Sequence, residues 1–343
     1  MKAIIKATGE AGSLQVADMP EPKPGPGQIL VQIKATGICF TDVTILNNMY
    51  KGRKPVPIPV ILGHEGAGVI AELGPGVVDH AVGDRVALEA LSGCRKCLQC
   101  QKGFKNMCVD WEHIGITCHG TFAEYLGLPA NLAHKMPDDM DFADAAFMEP
   151  LSLVVRSLEK VRPMVGETVA IVGPGSLGMF HLQAFKAAGA SKVIMVGLEQ
   201  DRHRFEIAGE LGADHIINIS EQDPVEAVLE YTDGQGADIV IETANSPKAT
   251  QMTFDLAAPL ARVVLFGLYP EASFSPVQML RKGLTVFGDV ALVPRQFLRA
   301  MNWVVSGKVS ARKMITKRFG MDQAAEAFEA QHQGETVKVL FEL

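Results

Sequence analysis

Thr168-Val-Ala-Ile-Val-Gly-Pro-Gly-Ser-Leu-Gly178 is the stretch that decides the fold. Its first five residues form an apolar run with the character of a buried strand, and Gly173, Gly175 and Gly178 follow at once. An apolar pattern with helical spacing then continues to Gly189. A strand, a glycine turn and a helix in this order are typical of dinucleotide binding, because the turn and the helix N-terminus cradle a pyrophosphate. The glycine motif alone is also typical of an ordinary turn, so the surrounding sequence has to decide.

After this turn, short apolar strands alternate with helices. Strands are predicted at 192–196, 215–218, 238–242, 262–267 and 284–288, and helices at 202–211, 225–231 and 247–257. Such alternation produces a parallel, doubly wound sheet, so we predict an α/β chain with a Rossmann domain at residues 151–291. The candidate cofactor-binding residues lie in the glycine turn and at the ends of the following strands: Gly173, Gly175, Ser176, Leu177, Gly178, Glu199, Arg204, Thr243 and Gly267.

Composition limits the other possibilities. The chain has 343 residues, 48% of them apolar and 21% charged, which suits two globular domains. Its net charge of -7 argues against a nucleic-acid or anionic-membrane partner, since either favours a basic face. No apolar run approaches the roughly 20 residues that span a bilayer, and residues 1–6 have the pattern of a strand rather than of a signal peptide. We expect a soluble, cytoplasmic protein.

The residues before the glycine turn have a β pattern. Apolar segments at 3–5, 14–16 and 29–33 predict a β-rich domain with one solvated face. Cys39, His64 and Glu65 also lie in this half of the chain. Each of them alone is more typical of packing or hydrogen bonding than of a metal site. Together, a thiolate, an imidazole and a carboxylate suit a catalytic zinc, which takes three protein ligands and keeps one position open. The residues by themselves leave both interpretations open.

Four cysteines form a separate cluster, with the spacing Cys94-x2-Cys97-x2-Cys100-x7-Cys108. They are too crowded for a disulfide framework in a chain of this size. Four thiolates on one loop close a tetrahedral shell, so the cluster predicts a structural zinc site in a lobe at residues 90–112. The alternatives are an iron–sulfur cluster, for which the last spacing is unusual, and a nucleic-acid-binding zinc ribbon, which fits poorly with an acidic chain.

The order of these motifs resembles that of the zinc-dependent medium-chain dehydrogenases, the alcohol dehydrogenase superfamily. The resemblance covers essentially the whole chain and rests on Gly37-Ile-Cys-Phe-Thr-Asp42, Gly63-His-Glu65, the four-cysteine lobe and Val172-Gly-Pro-Gly-Ser-Leu-Gly178. Glu149-Pro-Leu-Ser152 is similar to the branch that contains polyol, sorbitol and threonine dehydrogenases. The resemblance implies a GroES-like catalytic domain formed by residues 1–150 and 292–343, with the Rossmann domain inserted and a strand at 337–343 that returns to the first domain.

The resemblance also implies roles for single residues. Cys39 and His64 would bind a catalytic zinc, and Glu65 and Glu149 would complete its shell or exchange at it. Asp42 would fix the tautomer of His64 from the far nitrogen.

The implied reaction begins when the substrate hydroxyl enters the open zinc position. Thr41 would accept its proton, and a hydride would pass to the nicotinamide. With the structural site, this gives two zinc ions per chain. The implied function is the oxidation of a secondary alcohol in a polyol, sugar or related hydroxy compound. The enzyme would be a homodimer or homotetramer that pairs through strands near 284–288, whereas the alternative is a non-enzymatic scaffold or nucleotide sensor.

Three positions depart from the family pattern, one of them Ala291, which falls where the polyol branch often has an arginine, although Arg295 is close in sequence. Thr44 stands where many relatives have a histidine that completes the proton relay, and Gly197 stands where relatives that use NAD have an acid for the ribose. The glycine makes room for the 2′-phosphate of NADP, to which Arg202 and Arg204 could bond, whereas Glu199 could instead reach the ribose. We expect NAD, with NADP as the alternative.

Overall fold

The computed structural model describes residues 1–269, 271–288, 290–334 and 336–343. The chain divides into two compact units. The first contains Met1–Ser152, Ala291–Val305 and Ile315–Leu343, and the second contains Leu153–Val290 and Ser306–Met314. Among the described residues, no helix is both long enough and apolar enough to cross a membrane.

The secondary structure has the following bounds. The strands are β1 (Lys2–Lys6), β2 (Leu14–Asp18), β3 (Gln28–Gly37), β4 (Val60–Ile61), β5 (Glu65–Leu73), β6 (Arg85–Leu88), β7 (Leu91–Ser92), β8 (Glu112–His113), β9 (Tyr125–Pro129), β10 (Ala133–Lys135), β11 (Thr168–Val172), β12 (Lys192–Gly197), β13 (His215–Asn218), β14 (Ala237–Glu242), β15 (Ala257–Leu265), β16 (Thr285–Gly288), β17 (Ile315–Phe319) and β18 (Lys338–Glu342). The α-helices are α1 (Phe40–Leu46), α2 (Leu98–Gln101), α3 (Phe142–Ala146), α4 (Met148–Val161), α5 (Ser176–Ala188), α6 (Arg202–Glu210), α7 (Pro224–Tyr231), α8 (Pro247–Leu256), α9 (Pro276–Lys282), α10 (Pro294–Val305) and α11 (Ala324–His332).

The first unit is built on β-sheets. A seven-stranded sheet has the order β10-β6-β5-β3-β18-β17 with β9 also paired to β3, and a three-stranded sheet has the order β2-β1-β4. Alternate residues of β3, namely Ile29, Val31 and Ile33, are buried in a core that also includes residues of β5, β6 and β9. The predicted returning strand is confirmed as β18, which pairs antiparallel with β3 and parallel with β17.

β5 begins at Glu65, although the apolar pattern of its sequence starts only at Val69. The difference arises from Gly66 and Gly68, whose lack of a side chain hides the strand pattern. A Cβ on Gly68 would lie 2.1 Å from the carbonyl oxygen of Gln32, and one on Gly66 would lie 2.6 Å from Cγ2 of Thr121. The glycines therefore allow the backbone to approach its neighbours closely. As a result, Glu65 is held on a paired strand rather than on a loop.

The second unit has a six-stranded sheet of order β13-β12-β11-β14-β15-β16. All its pairings are parallel. From β11 the chain adds β12 and β13 on one side, and it then adds β14, β15 and β16 on the other. The strand order reverses between β11 and β14, and open α/β sheets bind ligands at the carboxyl ends of strands at this point. The predicted doubly wound fold is confirmed.

One element of this sheet starts earlier than predicted. β15 begins at Ala257, directly after α8 ends at Leu256, whereas the sequence predicted a helix through residue 257 and a strand from 262. The pairing of β14 with β15 shifts register between Ala237 and Ile239. The strand is irregular there and includes Pro259, so its first residues lack a strand pattern.

The predicted domain limits, 1–150 with 292–343 and 151–291, stay a prediction. The compact units differ from them chiefly at residues 306–314, which group with the second unit. Ser310 connects this segment to α5, because its N–H donates to Oε1 of Gln183 at 2.8 Å and its carbonyl accepts from Nε2 of the same residue.

Candidate active site

One carboxylate holds together the two segments that carry the predicted zinc ligands. Cys39 lies directly before α1, and His64 lies directly before β5. Asp42, in the first turn of α1, is fully buried and accepts the backbone N–H of Cys39 at 2.9 Å and that of Gly63 at 3.1 Å. Its two oxygens therefore bridge the two segments. The sequence predicted Asp42 only as a partner of His64, because no local pattern shows a contact between residues 21 positions apart.

The structure brings Cys39, His64 and Glu65 together. One ligand atom from each lies within 4.8 Å of the other two. Nδ1 of His64 lies 3.5 Å from Oδ1 of Asp42, which is too long for a normal hydrogen bond, so the carboxylate acts mainly through its charge. Burial disfavours a charged His64, but Asp42 and Cys39 outweigh this effect and raise its pKa well above the ordinary value. The surroundings of the three ligand atoms therefore favour positive charge.

Glu65 has a partner that the sequence analysis missed. Nζ of Lys338, on β18, donates to Oε1 of Glu65 at 2.6 Å and also to Oε2. The side chains of Glu65 and Lys338 are only 1% and 2% exposed, and the ammonium lies 4.9 Å from the centre of the Phe147 ring. The two residues are 273 positions apart, so no sequence signal links them. Lys338 neutralises Glu65, while the carboxylate keeps further lone pairs for a metal.

Glu149 is buried in the first turn of α4, outside the group of three ligand atoms. Burial raises the pKa of Glu149 to about 7, while the charge of His64 opposes this shift and the charge of Glu65 adds to it. Four residues were predicted to bind or complete the catalytic zinc site. The structure places the ligand atoms of three of them close enough together to bind one metal ion. Glu149 stays within electrostatic range of them.

The predicted proton relay lies on α1. Thr41 is partly exposed in the first turn of this helix, two residues after Cys39. Oγ1 of Thr44 donates to the backbone carbonyl of Thr41 at 2.9 Å. This bond uses the only hydroxyl proton of Thr44, so its side chain is bonded to the backbone of α1 itself.

The four clustered cysteines form a second candidate metal centre. The sulfur atoms of Cys94, Cys97, Cys100 and Cys108 all lie within 4.8 Å of one another. The sulfurs of Cys97 and Cys108 are 3.8 Å apart, and zinc–sulfur bonds of about 2.3 Å in a tetrahedron give an edge of about 3.8 Å. Backbone N–H donors lower the pKa of the Cys97 thiol to about 6, which favours the thiolate form that binds metal. The site is closed by its own four ligands and suits a structural role.

A second histidine, which the sequence analysis also missed, lies beside the catalytic group. The ring of His113 makes an edge contact with that of His64, with centroids 5.3 Å apart, and Trp111 makes an edge contact with His113 at 6.2 Å. Burial lowers the pKa of His113 to about 3, with a contribution from the charge of His64, so the ring is neutral. No sequence signal singles it out, because His119 lies at a similar distance from the four-cysteine cluster.

The glycine turn of the second unit has the geometry of a phosphate cradle. Gly173 has φ +107°, and a Cβ on it would lie 2.7 Å from the backbone nitrogen of Ala244. A Cβ on Gly178 would lie 2.0 Å from the carbonyl oxygen of Gly173, so α5 packs against the turn only without a side chain there. Gly175 faces open space, which leaves room for a pyrophosphate before the first N–H groups of α5. Oγ1 of Thr243 donates to the carbonyl of Gly173 at 2.9 Å and braces the turn.

Ser176 and Leu177 occupy the first turn of α5, where backbone N–H groups are free to bind an anion. Gly267 lies at the edge of the same strand ends, after β15, and its N–H donates to Glu242 at 2.9 Å. A Cβ on Gly267 would lie 2.6 Å from Oε2 of Glu242. The buried Glu242 therefore orders this loop, and the predicted cofactor contact at Gly267 depends on it.

Gly197, the last residue of β12, is closely packed. A Cβ on this residue would lie 2.7 Å from the Phe205 ring and 2.9 Å from Cγ of Pro174. Gly197 is thus required by packing, and the choice between NAD and NADP stays a prediction. The space that the missing side chain leaves is filled by Phe205 and Pro174.

The charged residues of the loop after β12 pair with one another. Arg202 binds both oxygens of Glu199, at 2.7 and 2.8 Å, and also binds Glu221. Arg204 binds Asp201 at 2.9 Å and is mostly buried. Three carboxylates therefore surround the two guanidinium groups, and the net charge of these side chains is negative.

Comparison with known proteins places the chain in a family. Residues 25–138 match the model described as the alcohol dehydrogenase GroES-like domain, and residues 176–306 match the model described as zinc-binding dehydrogenase. A sorbitol dehydrogenase of Halalkalibacterium halodurans is 35% identical over 99% of this chain and 98% of its own length. The chain belongs to the zinc-binding dehydrogenases. An L-threonine 3-dehydrogenase of Pyrococcus furiosus is 36% identical to this zinc-binding dehydrogenase, over 100% of this chain and 99% of the relative.

A solved structure from Sinorhizobium meliloti, described as a zinc-binding dehydrogenase bound to NADP, has a TM-score of 0.93. It is 32% identical to this chain, and the match covers 100% of this chain and 99% of the other. The family resemblance, the fold class and the enzyme class predicted from sequence are thereby confirmed. This zinc-binding dehydrogenase is an oxidoreductase for hydroxy compounds, with zinc and a nicotinamide nucleotide as its cofactors.

Proposed function

We propose that this zinc-binding dehydrogenase oxidises a secondary hydroxyl of a polyol, sugar or related hydroxy compound, with NAD as the hydride acceptor. The observation that carries the proposal is the convergence of a thiolate, an imidazole and a carboxylate, from Cys39, His64 and Glu65, within 4.8 Å of one another. A donor set of this kind suits a catalytic zinc with one open position.

The surroundings of these donors fit a divalent cation. Cys39, Asp42, Glu65 and Glu149 bring four acidic groups to one region, and three of them are buried carboxyl groups. Lys338 offsets the charge of Glu65 alone. Zinc held by Cys39, His64 and a glutamate would supply the Lewis acidity that makes a substrate hydroxyl easier to deprotonate.

The chain's own residues supply orientation and proton transfer. Asp42 fixes the spacing of the two ligand segments through the N–H groups of Cys39 and Gly63. Lys338 orients the Glu65 carboxylate by binding both of its oxygens. Thr41, on the helix that Cys39 precedes, accepts the proton of the substrate hydroxyl and passes it to water or to the cofactor ribose.

NAD is favoured over NADP by the charges after β12. A 2′-phosphate carries nearly two negative charges, and Glu199, Asp201 and Glu221 would repel it. The arginines that could bind it, Arg202 and Arg204, are engaged by these carboxylates. Glu199 is half exposed and suits a hydrogen bond to a ribose hydroxyl.

A spectrophotometric screen tests the proposal. The zinc-loaded enzyme is supplied with polyols, sugars, amino alcohols and hydroxy acids, and reduction of NAD and of NADP is recorded for each. We expect turnover with at least one polyhydroxy compound and a higher kcat/KM with NAD. In Glu199→Ala the preference for NAD should shrink more than in Glu221→Ala, because both variants remove a charge that repels the 2′-phosphate but only the first removes the carboxylate expected to bind the ribose. Nucleotide binding without turnover of any alcohol would contradict the proposal and support a scaffold or sensor.

We further propose that the enzyme is a cytoplasmic homodimer or homotetramer with no nucleic-acid or membrane partner. β16 is the last strand of its sheet, and Val277 and Leu280 on the preceding helix are 52% and 72% exposed. An edge strand beside exposed apolar residues favours pairing with a second copy. Light scattering after size-exclusion chromatography should give at least twice the chain mass, and a monomer at micromolar concentration would contradict this.

A further inference from the structure

His113 combines a fixed position with an unused hydrogen-bond acceptor. Its backbone is held on all sides: its N–H donates to Oγ1 of Thr117 at 2.8 Å, and its carbonyl accepts the N–H groups of Ile116 and Thr117. β8, which ends at His113, pairs with β7 through Leu91. The ring is therefore presented by a rigid hairpin and not by a free loop.

The hydrogen bonding of the ring defines its tautomer. Nδ1 lies 2.8 Å from the carbonyl oxygen of Ile114. A carbonyl only accepts, so Nδ1 carries the proton, and in the neutral ring Nε2 is a pure acceptor. No hydrogen bond to Nε2 occurs among the residues that the structure describes, and the residue is only partly buried. The Nε2 lone pair thus has no partner in the described part of the chain and is open to a ligand.

The position of the His113 ring determines which part of a bound substrate it contacts. Its centroid lies 5.3 Å from that of His64, whose other neighbours are Cys39 and Glu65. A substrate whose reacting hydroxyl is held at these residues would place the adjacent carbon, and the hydroxyl on that carbon, beside the His113 ring. Trp111 contacts His113 and extends this side of the site. The guanidinium of Arg53 lies 5.6 Å from the centre of the Trp111 ring. His113 and Trp111 therefore offer a hydrogen-bond acceptor close to the reacting centre and an aromatic surface further away.

We infer that His113 is a specificity-determining residue that accepts a hydrogen bond from the hydroxyl adjacent to the reacting carbinol, so that the enzyme selects vicinal diols. This inference rests on the proposed function. A simple secondary alcohol would occupy the same place but leave Nε2 without a donor, and a polar group left unpaired on binding is costly. Sites built to bond a substrate hydroxyl reject analogues that lack it more strongly than sites that discriminate by size.

The test compares butane-2,3-diol, butan-2-ol and 3-methoxybutan-2-ol. The methyl ether has nearly the shape of the diol and keeps its oxygen, but it cannot donate a hydrogen bond. In the wild type we expect kcat/KM for the diol to exceed that for either analogue at least tenfold. In His113→Phe the ratio of kcat/KM for the diol to kcat/KM for butan-2-ol should fall to about threefold or less, mainly through a higher KM for the diol. His113→Gln, which keeps an acceptor oxygen, should recover part of the preference.

Three controls separate this role from a structural one. Zinc content should stay at the wild-type value in each variant. His119→Phe removes a histidine of the same segment that bonds the N–H of Ile61, and it should leave the ratio of diol to monool activity unchanged. In wild-type protein labelled with ¹⁵N-histidine, the Nε2 resonance of His113 should shift when the diol is added and not when the ether is added. The NMR experiment needs no variant, so it decides the matter even if His113→Phe does not fold.

The possible failures are distinguishable. An enzyme that oxidises none of these alcohols and no other hydroxy compound contradicts the proposed function itself. An enzyme that oxidises both diol and monool, with the same ratio in wild type and His113→Phe and no shift of the Nε2 resonance, overturns the role of His113 and leaves the proposed function intact.

Discussion

The buried pair of Lys338 and Glu65 should dominate the stability of the first unit when zinc is removed. Both side chains are at most 2% exposed, and Nζ of Lys338 binds both oxygens of Glu65. Removal of one partner from a buried ion pair costs about 3–5 kcal/mol, because the other charge stays buried without compensation. Lys338→Met keeps much of the side-chain volume beside Phe147 and removes only the charge. We therefore expect the chelator-treated variant to lose about 4 kcal/mol of unfolding free energy.

Urea unfolding, followed by circular dichroism with and without zinc, measures this loss. The zinc-loaded variant should lose less than the zinc-free variant, since the metal also neutralises Glu65. Lys338→Met with Glu65→Gln removes both charges and should recover most of the stability, which gives a coupling energy of about 2 kcal/mol or more. A loss below about 0.5 kcal/mol in Lys338→Met, or strictly additive effects in the double variant, would refute the buried pair as a source of stability.

Three further changes test other parts of the structure. Cys97→Ser should mainly reduce folding yield and Cys39→Ser mainly activity, with one zinc per chain lost in each by elemental analysis; the reverse pattern would exchange the roles of the two sites. Thr41→Val keeps the side-chain volume but removes the hydroxyl, so kcat should fall roughly 10²- to 10⁴-fold at unchanged zinc content, and near-normal turnover would show that another group carries the proton. Burial lowers the pKa of His181 to about 4 from an ordinary value of 6.5, so the unfolded state binds the extra proton first. The stability from this group is present above pH 6.5 and falls by about 3 kcal/mol between pH 6.5 and 4; His181→Leu should flatten the pH dependence of the urea midpoint in this window, and an unchanged slope would contradict the assignment.

The fold was predictable wherever the spacing of apolar residues, or a single turn motif, identifies a strand or a helix. The strand and glycine turn at Thr168–Val172 and Gly173 define the nucleotide-binding sheet, because the apolar run, the turn and the helix are adjacent in sequence. The start of β5 at Glu65 was not predictable from periodicity, since Gly66 and Gly68 have no side chains to show it.

The site was predictable as a set of ligand types but not as an arrangement. The chemistry of Cys39, His64 and Glu65 allowed a zinc site, the family resemblance assigned them to it, and the structure brings them together. Lys338 was missed because its partner is 273 positions away in sequence. His113 was missed because a single histidine has no pattern, and only its position beside His64 gives it meaning. The packing role of Gly197 was not predictable, because the sequence shows a missing side chain but not that Phe205 lies beside it.

The central claim is that Cys39 and His64 hold a catalytic zinc together with a buried glutamate. Anomalous diffraction from a crystal of the zinc-loaded enzyme, recorded on both sides of the zinc absorption edge, tests it most directly. We expect two peaks per chain, one among the four clustered cysteines and one bonded to the sulfur of Cys39, a ring nitrogen of His64 and a carboxylate oxygen of Glu65 or Glu149. A single peak at the cysteines, in crystals of enzyme that oxidises alcohols, would contradict it.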